Sequence, residues 1–317
     1  MVSSQEALHV VVPSWRGRAH LETLIESLAG QTQQPARVLI VDGGSNDGSA
    51  ELAKASNFDF LDLGQNSGFA CAVNRGIDAV GGSRIAVLNN DIKLAPNWIE
   101  TMSRSTAPYV VGKVMSWDEP ERIDATWDLV SLSGVPMRAG HGKQDGAYWN
   151  HGRVISLAPW TAIVLSRHYW QATGGLDESF ESYLEDVDIG LRGLKLGFMG
   201  SYEPQAVCWH RGSATLGAWH PRQVRLSSRN QLRLVARHGG GDWWKVILGQ
   251  GLWGLAAARH GCFRDWWQGK REGLASFGKH NEQQNLALMQ ALETEIFHVG
   301  AATGFDRFWR WYWAFSS

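Results

Sequence analysis

The strongest constraint on the fold is the rhythm of the first ninety residues. Four strand-like runs, HVVVPS (9–14), RVLIVD (37–42), FDFLDL (58–63) and RIAVLNND (84–91), alternate with stretches of helical spacing. Leu21, Leu24, Ile25 and Leu28 form one helical stripe; a short helix is predicted over roughly 48–56; Ala70, Val73, Ile77 and Val80 repeat at intervals of 3, 4 and 3. Strand and helix units of this length imply a parallel sheet with helices on both faces, and ligands of such sheets bind beyond the carboxyl ends of the strands. Three polar breaks fall at that edge: Pro13-Ser14, Asp42-Gly43-Gly44 and Asn89-Asn90-Asp91.

From about 105 to 160 the rhythm changes to short strand-like pieces separated by Gly and Pro turns and interleaved with Trp. This reads as antiparallel hairpins added to the sheet, a platform for a second substrate. Helix returns near 182, AVCWH (206–210) reads as a strand, and beyond 222 the chain is mostly helical, with amphipathic stretches over 223–236, 243–258 and 282–297. The expected architecture is therefore α/β: a Rossmann-like, mostly parallel central sheet flanked by helices, with added antiparallel hairpins and a helical C-terminal region.

With 317 residues and 44% hydrophobic composition the chain can bury a large core, and a net charge of -1 gives no electrostatic reason to expect a nucleic-acid partner. Cys71, Cys208 and Cys262 are too few and scattered for a disulfide framework or a zinc knuckle, which fits a reducing cytoplasm. The start, MVSSQEALHVVVPSW, lacks the charged and apolar regions of a signal peptide. The 17 Trp are unusual. Most are expected to fill the core, but FWRWYWAF (308–315) mixes Trp with Arg as interfacial anchors do, so peripheral membrane contact is weighed evenly against plain packing. WWKVILGQGLWGLAAA (243–258) falls short of the about 20 apolar residues that a span needs.

Among chemical signatures, G-x-G-x-x-G after the first strand, the Walker loop and G-x-S-x-G are all missing. What remains is carboxylate-based. Asp42 ends a strand before two glycines: it is either a turn residue bonded to its own backbone or an acceptor for a nucleotide's base or ribose. Asp91 could ligate a hard divalent cation, Mg²⁺ or Mn²⁺, and His210, ending its own strand, could join it. In SYLEDVDIGL (182–191), Leu184, Val187, Leu191 and Leu194 mark the buried stripe of a helix that leaves the acids outside it. Ser182 and Glu185 have capping-box spacing, and Asp188 stands four residues before Arg192. Those relations account structurally for Glu185 and Asp188 and leave Asp186 as the acid assigned to chemistry.

The ordered fragments VVVPSW, VDGGSNDGS, QNSGFACAVNRGI, VLNND, GGLDESFESYLEDVDIGLRGLKLGF and AVCWHRG, over about residues 8–215, resemble glycosyltransferase family 2, the inverting sugar-nucleotide transferases of the GT-A fold, most closely the bacterial rhamnosyltransferase-like branch of cell-surface polysaccharide synthesis. The resemblance implies that Pro13, Ser14, Asp42 and Gly43 hold base and ribose. It implies that Asn66, Gly68 and Asn74 border the donor, and that Asn89, Asn90 and Asp91 stand at the metal motif, whose first position carries Asn rather than Asp. Glu185-Asp186 would be the acidic pair containing the catalytic base, and His210 would complete the metal site. It further implies a GT-A unit over 1–221, with a nucleotide-sugar half about 1–104 and an acceptor half about 105–221, and a helical region over 222–317. The implied partners are a UDP- or dTDP-sugar donor and a glycan or lipid-linked acceptor, and the implied location is cytoplasmic, at the inner face of the membrane if the Trp-rich region touches it. Pro159-Trp160-Thr161 departs from the small residues expected on the acceptor side. RGSATLGAW (211–219) reads as a lid over the donor. Two other readings stand beside the enzyme: a catalytically impaired sugar-nucleotide-binding or scaffold protein, suggested by Asn89, and a nucleotidyltransferase, which lacks its Gly-rich basic loop.

Overall fold

The structure, a computed structural model, describes residues 7–212, 219–239, 242–278 and 285–316. Most of the lid segment read from the sequence, residues 213–218, lies outside the described residues. In the first third, β1 (His9–Ser14), α1 (Arg18–Ala29), β2 (Arg37–Asp42), α2 (Ser49–Ala55), β3 (Asp59–Asp62), α3 (Phe69–Val80) and β4 (Arg84–Leu88) alternate as the periodicity requires. These strands pair in parallel in the order β3-β2-β1-β4.

Alternating side chains of the strands point to opposite faces and seed two cores. Val10, Val12, Val38 and Ile40 meet Leu21, Leu24 and Leu28 of α1 on one side. Val11, Leu39 and Val41 meet Val73 and Ile77 of α3 on the other. All of these are buried, which is why the strands read as continuous apolar runs.

Beyond β4 the sheet becomes mixed. The chain passes through β5 (Ile92–Leu94), α4 (Trp98–Ser103) and β6 (Tyr109–Ser116). It then makes four short strands: β7 (Ile123–Ala125), β8 (Asp128–Val130), β9 (Pro136–Arg138) and β10 (Arg153–Ile155). β11 (Ala162–Ser166) inserts antiparallel between β4 and β6. After α5 (Arg167–Thr173) and α6 (Glu185–Lys195), the long β12 (Gly200–His210) runs parallel to β6 and antiparallel to β5 and β10. The β8–β9 hairpin stands apart as a two-stranded sheet.

Among the described residues five helices follow: α7 (Pro221–His238), α8 (Trp243–Arg259), α9 (Phe263–Leu274), α10 (Leu286–Thr303) and α11 (Arg307–Ser316). They pack back on the hairpin. The buried Glu293 of α10 accepts hydrogen bonds from the Leu132 backbone N–H (2.7 Å), Lys245 Nζ (2.6 Å) and the Tyr312 hydroxyl (2.9 Å), so one carboxylate ties α8, α10 and α11 to the turn after β8. Lys270 of α9 is buried among oxygens instead of a counter-ion, donating to Ser228 O and Gln231 Oε1 at 2.8 and 3.0 Å and to Gln250. Burial pushes its ammonium pKa well down.

Candidate active site

A cleft of about 910 Å³ opens where the sheet's carboxyl edge faces the hairpin and the C-terminal helices. Pro13, Ser14, Gly43, Asn66, Gly68, Asn89, Asn90, Asp91, Glu185, Asp186 and His210 all line it. Two residues expected at the donor do not. Asp42 is fully buried behind the rim: Oδ1 accepts the Ser45 N–H (2.5 Å), the Asx turn of the plainer reading, whereas Oδ2 has no partner among the described residues. Burial raises its pKa, the Ser45 hydrogen bonds opposing. Asn74, expected at the donor border, is committed elsewhere. Its amide donates to Leu176 O (2.9 Å) and Glu178 (3.0 Å) and its oxygen accepts from the Leu176 N–H (3.1 Å), pinning the 176–178 turn to α3.

The rim is closely fitted. Asn90 Nδ2 donates to Ser14 Oγ (3.1 Å), joining the ends of β1 and β4. Gly68 has φ +92°, and a Cβ there would fall 2.6 Å from the Glu181 carbonyl oxygen; only glycine lets the start of α3 approach the turn that carries the acidic pair.

Asp91 and His210 meet at the ends of β4 and β12. His210 Nε2 lies 3.2 Å from Asp91 Oδ1, and Nδ1 lies 2.8 Å from Asp124 Oδ2. Burial alone would depress the imidazole, but the two carboxylates outweigh it and hold its pKa at about 9. Asp124 is in turn driven well below the usual carboxylate range: its burial is overcome by hydrogen bonds from His141 and His210 and by the charge of Arg138. A histidine whose far nitrogen is fixed by a carboxylate is the usual second layer around a metal-binding imidazole. No three His, Cys, Asp or Glu side chains form a complete cage among the described residues. A Mg²⁺ or Mn²⁺ held by two side chains would leave room for phosphate oxygens, as sites for these ions commonly do.

The acidic turn departs from the expected capping box. α6 starts at Glu185, its N-cap is Leu184, and no side chain caps it. Ser182 Oγ instead accepts the Phe69 N–H (3.3 Å). Glu181, Tyr183 and Leu184 have φ of 61°, 72° and 70°, a run of left-handed residues that L side chains rarely adopt. α7 holds that turn. The buried Asn230 amide donates to the carbonyls of Phe180 (3.0 Å), Ser182 (3.0 Å) and Tyr183 (2.7 Å). Arg229 orients the amide by donating to Asn230 Oδ1 (3.0 Å) and also bonds Phe180 O (2.8 Å) and Glu181 (2.6 Å).

Two of the three acids, Glu185 and Asp188, are not left outside the helix's buried side, whereas Asp186 is half-buried. Glu185 is buried, with Oε2 unpartnered among the described residues, and burial plus the neighbouring Asp186 charge lifts its pKa well above normal. Asp186 accepts the Val187 N–H (2.8 Å). Burial raises its pKa, opposed by Arg138 and by backbone N–H groups including that of Trp160. Asp188 is fully buried, keeps the expected Arg192 pair (2.9 Å), and adds Arg237 (2.9 Å) and His238 (2.8 Å) from α7. Burial opposes its ionisation, but these cations hold its pKa far below the usual range.

Residues 9–120 match the profile of glycosyl transferase family 2. Over that segment the chain is similar to glycosyltransferase family 2. Similarity to individual relatives extends past the matched segment. The chain is 26% identical over 287 residues to the N-acetylglucosaminyl-diphospho-decaprenol L-rhamnosyltransferase of Mycobacterium tuberculosis (strain CDC 1551 / Oshkosh), covering 80% of this chain and 92% of that one. It is 27% identical over 277 residues to the pre-mycofactocin glycosyltransferase of the same strain, covering 80% and 55%. In fold it is similar to the mannosyltransferase PcManGT from Pyrobaculum calidifontis (TM-score 0.53, 14% identity, 97% of this chain and 83% of that one) and to GalNAc-T7 (TM-score 0.61, 13% identity, 79% and 51%). Both were solved with Mn²⁺, the first with GDP-Man and the second with UDP and GalNAc.

Several groups around the cleft escaped the sequence reading. Arg138 stands 3.8 Å from both Asp124 and Asp128, among the carboxylates that include Asp186. Burial pushes Asp128 to about 7 against the pull of Arg138. Trp253 of α8 and Phe308 and Trp309 of α11 form part of the wall, facing Trp160 from the departing Pro-Trp-Thr segment. No local pattern marks these residues.

Proposed function

We propose that this chain is an inverting glycosyltransferase that moves a hexosyl group from a UDP- or dTDP-sugar to a hydroxyl of a glycan or lipid-linked acceptor, in the synthesis of a bacterial cell-surface polysaccharide. The observation that supports this most is the gathering of Asp91, His210, Glu185 and Asp186 around one cleft, from positions as far apart as 91 and 210. The donor occupies the side built by Pro13, Ser14, Gly43, Asn66 and Gly68, with the buried Asp42 behind it. Asp91 and His210 hold a Mn²⁺ or Mg²⁺, with Asn89 and Asn90 beside them; such a cation, when bound, offsets the charge of the departing nucleoside diphosphate. Asp186 takes the proton of the acceptor hydroxyl as its oxygen attacks the anomeric carbon, and the bond to the diphosphate breaks on the opposite face. The unit over 1–221 carries both halves of the site, and the region over 222–317 braces the acidic turn and walls the acceptor side.

An acceptor carried on a polyprenyl diphosphate suits the wide, partly aromatic cleft, and the mycobacterial relative's own name specifies such an acceptor. The test is a thermal-shift panel of nucleotide sugars with Mn²⁺, followed by a transfer assay with the stabilising donor. Stabilisation by one donor together with transfer supports the proposal. Donor binding with neither hydrolysis nor transfer favours the scaffold reading that Asn89 suggests.

A further inference from the structure

Large apolar side chains that remain exposed are distributed very unevenly. Of the fifteen among the described residues, only Tyr148, Val154, Leu196 and Met199 precede α7; the other eleven lie between Trp243 and Phe315. Exposed apolar patches on this scale mark interaction surfaces, whereas single exposed residues need no explanation.

The exposure follows the helices. On α8, Trp244, Ile247 and Leu255 stand 62–69% exposed, at spacings that place them on the side opposite the buried Val246, Gln250 and Ala257. Gly251 and Ala258 complete that side without a polar interruption. On α9, Phe263, Trp267 and Leu274 share an outward face. On α11, Trp311 and Phe315 stack at 5.6 Å and face outward, whereas Trp309 and Tyr312 face in. α8 packs against both α9 and α11, so the three faces belong to one bundle.

Charge decides the occupant. Arg259 follows the α8 stripe, Arg264 and Arg271 flank that of α9, and Arg307 and Arg310 flank that of α11; all five are exposed, and none pairs with an acid among the described residues. Tryptophan and leucine beside unpaired arginine is the composition that lies in an anionic headgroup layer, and no described helix is long and apolar enough to cross a membrane. α11 also connects this surface to the cleft, because Phe308 and Trp309 line the cavity while Trp311 and Phe315 point outward. We infer that the outer faces of α8, α9 and α11 dock the protein on an anionic lipid bilayer, lying in the headgroup plane with the cleft opening toward it.

This placement suits a lipid-linked acceptor, but the docking itself does not depend on that reading. Vesicle flotation of the full chain without donor or acceptor tests it separately from transfer. Wild type floats with phosphatidylcholine vesicles containing phosphatidylglycerol, less with phosphatidylcholine alone, and less at high salt. Trp311→Ser/Phe315→Ser and Ile247→Ser/Leu255→Ser each weaken flotation by at least about tenfold, in keeping with the apolar surface removed. Arg307→Gln/Arg310→Gln removes mainly the preference for the anionic lipid. Val154→Ser/Leu196→Ser, equally exposed but remote in the fold, floats as wild type does. Because all these side chains are exposed, unchanged melting temperatures establish that the variants fold. The inference is overturned if wild type stays unbound, if the patch variants float as well as wild type, or if they convert a dimer to a monomer without altering flotation; the last assigns the surface to a second copy of the chain.

Discussion

The two walls of the cleft are built on opposite principles. The wall proposed for the donor, β1 to β4, comes from consecutive strand and helix units whose side chains alternate between two cores, and its polar groups sit where strands end. The opposite wall combines a hairpin, a left-handed turn and helices from the last third of the chain, held by bonds between residues about fifty positions apart. The first wall is set by local pattern; the second exists only when distant segments dock. Within the second wall, Asp186 and Asp188 make the same contrast at shorter range. One faces the cleft and the other faces α7, although they occupy the same helical turn.

Substituting these two acids breaks the comparison most sharply. Asp186→Asn keeps shape and hydrogen-bonding capacity but cannot accept the proton. Turnover should fall by about 10²–10⁴-fold, the usual worth of general-base assistance, with donor affinity unchanged. Steady-state kinetics beside a donor titration measures both. Full turnover in this variant would remove Asp186 from the mechanism.

Asp188→Ala should instead be read in stability. It strands Arg192, Arg237 and His238 without their shared carboxylate, and breaking a buried charged cluster in this way costs about 3–5 kcal/mol. The pH dependence follows from the depressed pKa. The contribution of Asp188 is fully present above the ordinary carboxylate range and is lost as pH falls through the lower folded value, so wild type should lose it only in strong acid. Denaturant titrations at neutral and acidic pH should show the gap between wild type and variant shrinking toward the acid end; a constant gap would place the stabilisation elsewhere.

Asn230→Ala tests whether α7 positions the acidic pair. The carbonyls of Ser182 and Tyr183 lose this donor whereas that of Phe180 keeps Arg229, and each buried acceptor left unsatisfied costs about 1–3 kcal/mol unless water enters. A purely structural role predicts lower stability with unchanged kcat in the fraction that remains folded. Positioning predicts a fall in kcat per folded molecule with donor KM preserved, because the donor wall is built without α7, and partial rescue by Asn230→Gln. Equal kcat per folded molecule would reduce Asn230 to a brace.

What the sequence could reveal divides along the same line. Strands β1, β2 and β4 and helices α1 and α3 follow from local pattern alone, because each buries its own apolar run or stripe. Asp91 is legible as the acid in the polar break after the apolar run of β4, and His210 because it closes the alternating β12. The capping box over Ser182–Glu185 was a false signal: the spacing is present, but Asn230 and Arg229 hold the backbone left-handed through Leu184, so the helix starts too late for Ser182 to cap it. Asn74 likewise fits a donor-side motif yet is consumed by the 176–178 turn. Asp124, Arg138 and Asn230 carry no local mark, since their partners are 86, 14 and about 50 residues away.

The smallest expected effect belongs to Glu185, and it separates burial from chemistry. Burial and the charge of Asp186 push its carboxyl pKa well above the ordinary carboxylate value, which favours the neutral form. Glu185→Gln fixes a neutral side chain of similar shape at this place, and turnover should change by less than about tenfold, far below the general-base range. Stability carries the sharper signature. With a folded pKa raised above the unfolded one, the wild-type carboxyl favours the unfolded state increasingly as pH rises past the ordinary carboxylate value. The glutamine has no such dependence. Relative to wild type, the variant should therefore gain stability as pH rises past the ordinary carboxylate value, whatever fixed offset its amide introduces. A gain that runs the other way would mean that Glu185 is ionised in the folded protein, and the charge in the cleft would then have to be shared between both acids.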